Sequence, residues 1–477
     1  MKNKFSVSIS YPPLESTKGS AFLSQNRQFQ WGNTDSVFYP VIMAYAATLL
    51  KKNDYQVFWD DAIAERLSYQ KWLSRLITNN PDLVVIETKT PVVKKHWQII
   101  SDIKDKLPKT KIALIGDHVT ALPQESISNS KVDFVLTGGD YDFMILNLAD
   151  QLSKNICPDK IINTPPTHLL TPLPIIDRNL TKWYLYSQNN TNYKYKPGAY
   201  IMSGRDCWWG RCTFCSWTTL FPGRNYRRFS VDHTIKEINN LVVNFGVKEV
   251  FDDAGTLPVG DWLQKLCQRL IDTGLNRKVK ISCNMRFGAL TENDYQLMAK
   301  AGFRFILYGL ESANPQTIEK INKNIDLKNV PKELKIAKKC GLEPHITIMI
   351  GYPWETKKDA QNTLNFAKKL FRQGIVDSMQ ATIVIPYPGT PLFDYCQKNN
   401  LLNTKNWDNF DMRQPVIKSP ISSDDQKQIV QSLFKGIITP RFMFNKIKSI
   451  KSLSDLKFLL GYTYKFFRKL KDFKKDL

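Results

Sequence analysis

Two successive series of short apolar runs, each run followed by a helical stretch, constrain the fold of this chain more than any other feature. In the first 150 residues the runs are "KFSVSISYPP", "YQVFWDD", "DLVVIET", "KIALIGD" and "VDFVLTGG". "SVFYPVIMAYAATLLKKN" and "VVKKHWQIISDIKDKL" read as helices between them. Near-continuous apolar strands separated by helices imply a parallel sheet covered on both faces. A doubly wound, Rossmann-like α/β domain follows, with its ligand crevice beyond the carboxyl ends of the strands. The loops expected there are "YPPLE", "ETKTP", "GDHVT" and "TGGDYD".

The second series runs from about 197 to 390: "AYIMS", "VKEVFDD", "VKISCN", "FRFILYGLE", "HITIMIGYP" and "MQATIVIPYP". Helices between these runs stop at Gly246, Gly274, Gly302, Gly341 and Gly374, since glycine accepts the left-handed conformation that ends a helix. Ser230, Asp261, Thr291 and Thr356 read as N-caps. Six βα units in one run predict a partial (β/α)6 barrel of the TIM type, whose chemistry sits at the carboxyl ends of its strands. Between the two series, the Pro-rich stretch "TPPTHLLTPLPIIDR" cannot continue a helix and reads as an ordered linker. The expected division is therefore 1–155, a linker over 156–196, a barrel over 197–400, and a basic helical extension over 401–477. In that extension "DDQKQIVQSLFKGIIT" places Ile429, Val430, Leu433, Phe434 and Ile437 on one face.

Composition fits a globular protein, with 42% hydrophobic and 12% aromatic residues. No run of eighteen apolar residues occurs, and "MKNKFSVSISYPPLE" has no apolar signal core, so a cytoplasmic location is expected. The net charge of +23 admits nucleic acid, an anionic membrane or an acidic substrate as partner. Lys, Asn and Ile are dense throughout, so only local concentration of charge informs. It concentrates at the C-terminus, where Lys457, Lys465, Arg468, Lys469, Lys471, Lys474 and Lys475 mix with Tyr464, Phe466 and Phe467. Two readings stand: a helical cap with a solvated lysine face, or peripheral contact with an anionic membrane surface.

The barrel's first strand leads directly into "SGRDCWWGRCTFCSW", where Cys207, Cys212 and Cys215 fall within nine positions. Cys157, Cys267, Cys283, Cys340 and Cys396 are scattered and read as ordinary buried thiols of a reducing compartment. Three thiolates without a fourth ligand nearby leave three readings. A zinc site needs a remote fourth ligand, and His233 is the nearest downstream histidine. A [4Fe–4S] cube held by three cysteines leaves one iron open to a small molecule. Unligated thiols at such a place are chemically vulnerable.

"CTFC", "FDDAGTL", "CNMRFGALTENDYQLMAKAGF", "YGLESANPQTIEKINKN", "IGYPWET" and "PYPGTPL" lie in order near the ends of the barrel strands. Together with "YPPL", "LIGDHVTALPQE" and "DFVLTGGD", they resemble the cobalamin-binding branch of the radical S-adenosylmethionine (SAM) superfamily over roughly residues 5–400. The resemblance implies that Cys207, Cys212 and Cys215 bind a [4Fe–4S] cluster whose fourth iron takes the amine and carboxylate of SAM. Phe214 would pack beside the adenine or cluster, and Asp253, Arg286 and Glu311 would contact SAM, with Arg286 pairing its carboxylate and Glu311 its ammonium. Tyr11, Pro12, Thr88, Gly116, His118, Thr137, Gly138 and Gly139 would line the cobalamin site. The chain departs from that pattern twice. Trp208, Trp209, Gly210 and Arg211 put four residues between the first two cysteines where three are common, with Gly210 allowing the turn back. No D-x-H-x-x-G occurs, so no histidine of that motif ligates cobalt.

The implied activity is reductive cleavage of SAM to a 5′-deoxyadenosyl radical, leading to C-methylation of an unactivated carbon in a small-molecule, lipid or peptide substrate. A flavodoxin or ferredoxin would supply the electron. A cobalamin cyclase or oxidase that does not methylate, and a zinc-stapled binding protein, are the alternatives. A tRNA methylthiotransferase fits poorly, because residues 1–156 hold no cysteine for a second cluster, and no nucleic-acid partner is expected.

Overall fold

The computed structural model describes residues 4–23, 29–32, 36–163, 169–221 and 226–435. All eleven apolar runs become strands of two parallel sheets. Along the first sheet the strands lie in the order Gln56–Asp61, Ser6–Tyr11, Leu83–Glu87, Lys111–Ile115, Phe134–Thr137 and Ile161–Asn163. Every neighbouring pair is parallel. Strand order reverses between Ser6–Tyr11 and Leu83–Glu87, and this switch point is where a doubly wound sheet opens a crevice. The last strand, Ile161–Asn163, falls inside the expected linker. It is a three-residue edge strand, too short to carry a readable apolar period.

The second sheet runs strictly in chain order, from Gly198–Ile201 through Glu249–Asp252, Lys280–Met285, Phe303–Glu311 and Glu343–Ile350 to Ser378–Ile383. All its pairs are parallel. Among the described residues its first and last strands are not paired, so the barrel is open. Thr291 and Thr356 build reciprocal capping boxes with Asp294 and Asp359, and Ser230 accepts from the His233 amide. Asp261 is the first helical residue rather than a cap, because Gly260 (φ +68°) makes the turn before it. A short antiparallel hairpin, Ser20–Phe22 with Gln30–Gly32, carries no apolar run and was not expected.

One apolar cluster continues from the first sheet into the second. A buried ion network joins the two as well. Arg205, fully buried, donates to Asp140 at 3.2 Å and to Asp142 at 2.8 Å, and Arg227 donates to Asp140 at 2.6 Å. Gly139 touches the Phe221 ring so closely that a Cβ there would lie 2.2 Å from it. The linker adds Lys182–Glu65 at 2.8 Å and the Tyr186 hydroxyl donating to Asp61 at 2.5 Å.

Beyond residue 400 the expected helix does not begin at once. Residues 401–422 form an irregular strap with one 3-10 turn, Trp407–Asn409, and an isolated bridge between Leu402 and Ile417. Its polar side chains are used for cross-domain hydrogen bonds instead of a helical face. Lys18 pairs with Asp411 at 2.5 Å, Trp407 donates to Glu125 at 2.8 Å, and the Tyr387 hydroxyl donates to the Phe410 carbonyl at 3.1 Å. The helix is Ser423–Lys435, which buries Ile429, Val430 and Leu433. The Phe434 side chain, Ile437 and the basic stretch 441–477 with Tyr464, Phe466 and Phe467 lie outside the described residues. Among the described residues no helix is long and apolar enough to cross a membrane.

Candidate active site at the barrel mouth

The cysteine loop leaves the first barrel strand and crosses the carboxyl ends of its neighbours. Asp206 (φ +77°) and Gly210 (φ +53°) both take left-handed backbone, and the latter makes the turn that returns Cys212. The "FDDAGT" loop meets Cys207 at Gly255, where a Cβ would stand 3.1 Å from the cysteine Cβ. The Cys207 sulfur lies 3.0 Å from the Thr256 hydroxyl. The Thr213 amide donates to the Ile321 carbonyl at 3.1 Å, and the Leu392 amide to the Thr213 carbonyl at 2.9 Å. These bonds tie the loop to two later barrel units.

Cys207, Cys212 and Cys215 lie close enough for their charges to act on one another. Burial pushes the Cys212 thiol up to about 11 and the Cys215 thiol to about 12. Such thiols stay protonated unless a bound cation stabilises the thiolate. Among the described residues no three His, Cys, Asp or Glu side chains converge as ligands of a single ion. His233 instead stacks on Phe229 at 4.3 Å. A tetrahedral zinc ion needs sulfurs only about 4 Å apart. An iron–sulfur cube takes its thiolates on separate irons, and three cysteines from one loop are a donor set that it accepts while leaving one iron open.

Glu311 ends the fourth barrel strand in left-handed backbone (φ +64°) and pairs with Lys323 at 3.0 Å. Gly309 makes that pair sterically feasible: a Cβ there would lie 2.1 Å from the carboxylate and 2.7 Å from the ammonium. Burial alone would lower the affinity of Lys323 for its proton, but the Glu311 carboxylate outweighs it, so the residue is a fixed cation beside the sulfurs. Phe214 is buried, with that ammonium 5.9 Å from its ring centre. Asp253 is buried and accepts from Asn284 at 3.4 Å. Arg286 is committed elsewhere, to the carbonyls of Phe287, Lys323 and Asn324 and to the face of Trp209. Sequence reasoning named Arg286 and Glu311 but passed over Lys323. The signal was present in "INKN", where a lysine stands between two asparagines, residues that tolerate left-handed turns.

The residues assigned to the other domain gather at the carboxyl end of its sheet. Tyr11 donates to Glu87 at 2.6 Å across the switch point, and the second Glu87 oxygen is buried without a hydrogen-bond partner. Pro12 follows Tyr11, buried. The Thr88 hydroxyl meets His96 at 2.7 Å, and Gly116 packs against the Thr88 backbone with no room for a Cβ. The Thr137 hydroxyl donates to the Ile162 carbonyl at 3.3 Å, the Gly138 amide to Thr120 at 3.1 Å, and Gly139 abuts Phe221. His118 is fully buried, with one ring nitrogen 3.2 Å from Thr90 and the other 3.0 Å from Glu125. Both nitrogens are engaged within the chain.

Residues 201–367, which span the cysteine loop and the second to fifth barrel strands, match the family model described as the Radical SAM superfamily. Residues 201–367 are a Radical SAM domain. It is 28% identical over 421 residues to an uncharacterized methyltransferase of Pyrococcus horikoshii, covering 84% of this chain and 87% of that protein. It is 24% identical to the anaerobic magnesium-protoporphyrin IX monomethyl ester cyclase of Cereibacter sphaeroides, over 74% of this chain and 60% of that enzyme. The methyltransferase TsrM from Kitasatospora setae, solved with cobalamin and a [4Fe–4S] cluster bound, shares the fold with a TM-score of 0.66 at 12% identity. That match covers 92% of this chain and 90% of TsrM. The Radical SAM domain marks the chain as an enzyme and implies a [4Fe–4S] cluster and SAM as its cofactors.

Proposed function

We propose that this Radical SAM enzyme is a cobalamin-dependent methyltransferase, acting on an unactivated carbon of a small-molecule, lipid or peptide substrate. One observation carries the reading. The cysteine loop is clasped through Arg205, Arg227 and Phe221 onto the carboxyl ends of a doubly wound sheet, so two ligand-binding faces meet at one place. The likeness to TsrM and to the Pyrococcus methyltransferase supports the same choice.

When bound, the cluster supplies an electron for SAM cleavage and cobalamin supplies a methyl carrier. The chain's own residues do the rest. Cys207, Cys212 and Cys215 offer three thiolates from one turn. Lys323 and Glu311 present a paired cation and anion beside them, suited to the carboxylate and ammonium of an amino acid. Phe214 and the apolar cluster of Met349, Tyr352 and Tyr387 keep water from the sulfurs. The free oxygen of Glu87 accepts from amide donors, which line the rim of a corrin. Tyr11, Thr88, Gly116, His118 and Thr137–Gly139 shape that crevice.

Anaerobic reconstitution with iron, sulfide and cobalamin, followed by assay with methyl-labelled SAM and a low-potential reductant, tests this. The wild type should be coloured and release 5′-deoxyadenosine. Cys212→Ala should lose the cluster and at least about a thousandfold of the cleavage rate. A colourless wild type, or an active Cys212→Ala variant, overturns the cluster. Failure to bind cobalamin overturns the methyltransferase reading alone.

A further inference from the structure

We propose that Arg286 is a positioning residue and not a SAM ligand: with Trp209 it bolts the four-residue spacer of the cysteine loop to the Ile321–Asn324 turn, and so fixes Lys323 beside the sulfurs. This deepens the cluster reading and rests on it.

The Arg286 guanidinium carbon lies 3.8 Å from the Trp209 ring centre and 5.9 Å from that of Trp208. One terminal nitrogen donates to the Lys323 carbonyl and, at 2.6 Å, to that of Asn324, and the other donates to the Phe287 carbonyl at 3.3 Å. A planar guanidinium can stack and use its edge for hydrogen bonds at once. Both capacities are taken here, and Arg286 is only 9% exposed.

Trp209 grips the same turn from the other side, its indole nitrogen donating to the Asn322 carbonyl at 2.8 Å. Arg211 covers Trp209 as well, at 5.1 Å. The carbonyls of three consecutive residues, 322 to 324, are therefore held by two side chains that also hold each other. Asn322 (φ +54°) and Asn324 (φ +48°) are both left-handed, a backbone that needs outside support. Between them stands Lys323, aimed at Glu311. Thr213 closes the loop onto this turn through the Ile321 carbonyl. The long spacer thus has a use. It lets an indole reach the turn that carries the site's cation, so the sulfurs and the ammonium are set by one clamp.

Two measurements on the full chain test this. In the metal-free protein, alkylation of Cys212 by iodoacetamide should be slow in the wild type and about tenfold faster in Arg286→Ala and Trp209→Ala. Loss of a positive charge by itself would slow it. In the reconstituted protein, Arg286→Ala should hold less than half the wild-type iron. The part that is loaded should still show the SAM-induced change in the spectrum of the reduced cluster, with SAM affinity within about threefold. Trp209→Phe, which keeps a stacking face, should restore most of the iron. The double variant Arg286→Ala/Trp209→Ala should be no worse than either single one, as for two parts of one device. Full iron in Arg286→Ala with SAM binding weakened more than tenfold would overturn the proposal and return Arg286 to the SAM site. Additive defects, or unchanged alkylation, would overturn the clamp. A wild type that takes up no iron fails the cluster reading only, because the alkylation test still decides the clamp.

Discussion

The two strand-end faces of this molecule are finished differently. At the barrel mouth Glu311 pairs with Lys323, and Arg286 holds three carbonyls and an indole while its Nε stays buried without a partner. At the crevice of the first sheet, Tyr11 satisfies one oxygen of Glu87 and leaves the other without a partner. A buried carboxylate oxygen without a donor costs free energy, on the order of 1–3 kcal/mol. The difference teaches how each face is prepared. The barrel mouth is framed by contacts within the chain and keeps an unpaired donor, whereas the crevice keeps an unpaired acceptor for donors that a ligand must bring.

The largest expected effect comes from the seam that joins the faces. Arg205→Ala would strand the fully buried Asp142 and leave Asp140 to Arg227 alone. Removing one partner of a buried pair costs about 3–5 kcal/mol. At the unfolding entropy of a chain this long, the midpoint of thermal unfolding should fall by roughly 3–5 °C, and an unchanged midpoint would mean that apolar contact alone joins the domains. A smaller effect is expected in the crevice. Glu87→Gln puts an amide nitrogen where an acceptor stood, so cobalamin affinity should fall about tenfold while iron content stays at the wild-type level. Equal losses of both cofactors would erase the contrast between the faces. The smallest effect is one of pH. Burial holds Asp61 up at about 6, above the ordinary 3.8. Its protonated form is favoured in the fold, so its contribution to stability is greatest at low pH and declines as pH rises through 6. Between pH 7.5 and pH 5 the wild type should gain roughly 1 kcal/mol over Asp61→Asn, read from denaturant midpoints. A constant difference would show that Asp61 titrates normally.

Much of this was legible in the sequence. Eleven strands announced themselves because a sheet buried on both faces demands uninterrupted apolar runs, and each of the five helix-ending glycines does adopt positive φ. The cysteine triad and its place after the first barrel strand were also plain. What stayed hidden depends on distance in the fold. Ile161–Asn163 is too short to show a period, and the strap over 401–422 makes its bonds to residues some 280 to 390 positions away. Arg286 and Lys323 show the same limit within the site. Sequence places Arg286 at a strand end and leaves Lys323 unmarked, and only packing decides which guanidinium is consumed by an indole and which ammonium is left to face a carboxylate. Lys323 therefore had no signal beyond its two flanking asparagines.

The strap gives the molecule a second tether. The linker fastens the first domain near Glu65 and Asp61, and the strap fastens it again near Lys18 and Glu125. Parting the two domains would therefore break both attachments together with the buried Arg205 seam, so the contact between their facing surfaces is held from three places.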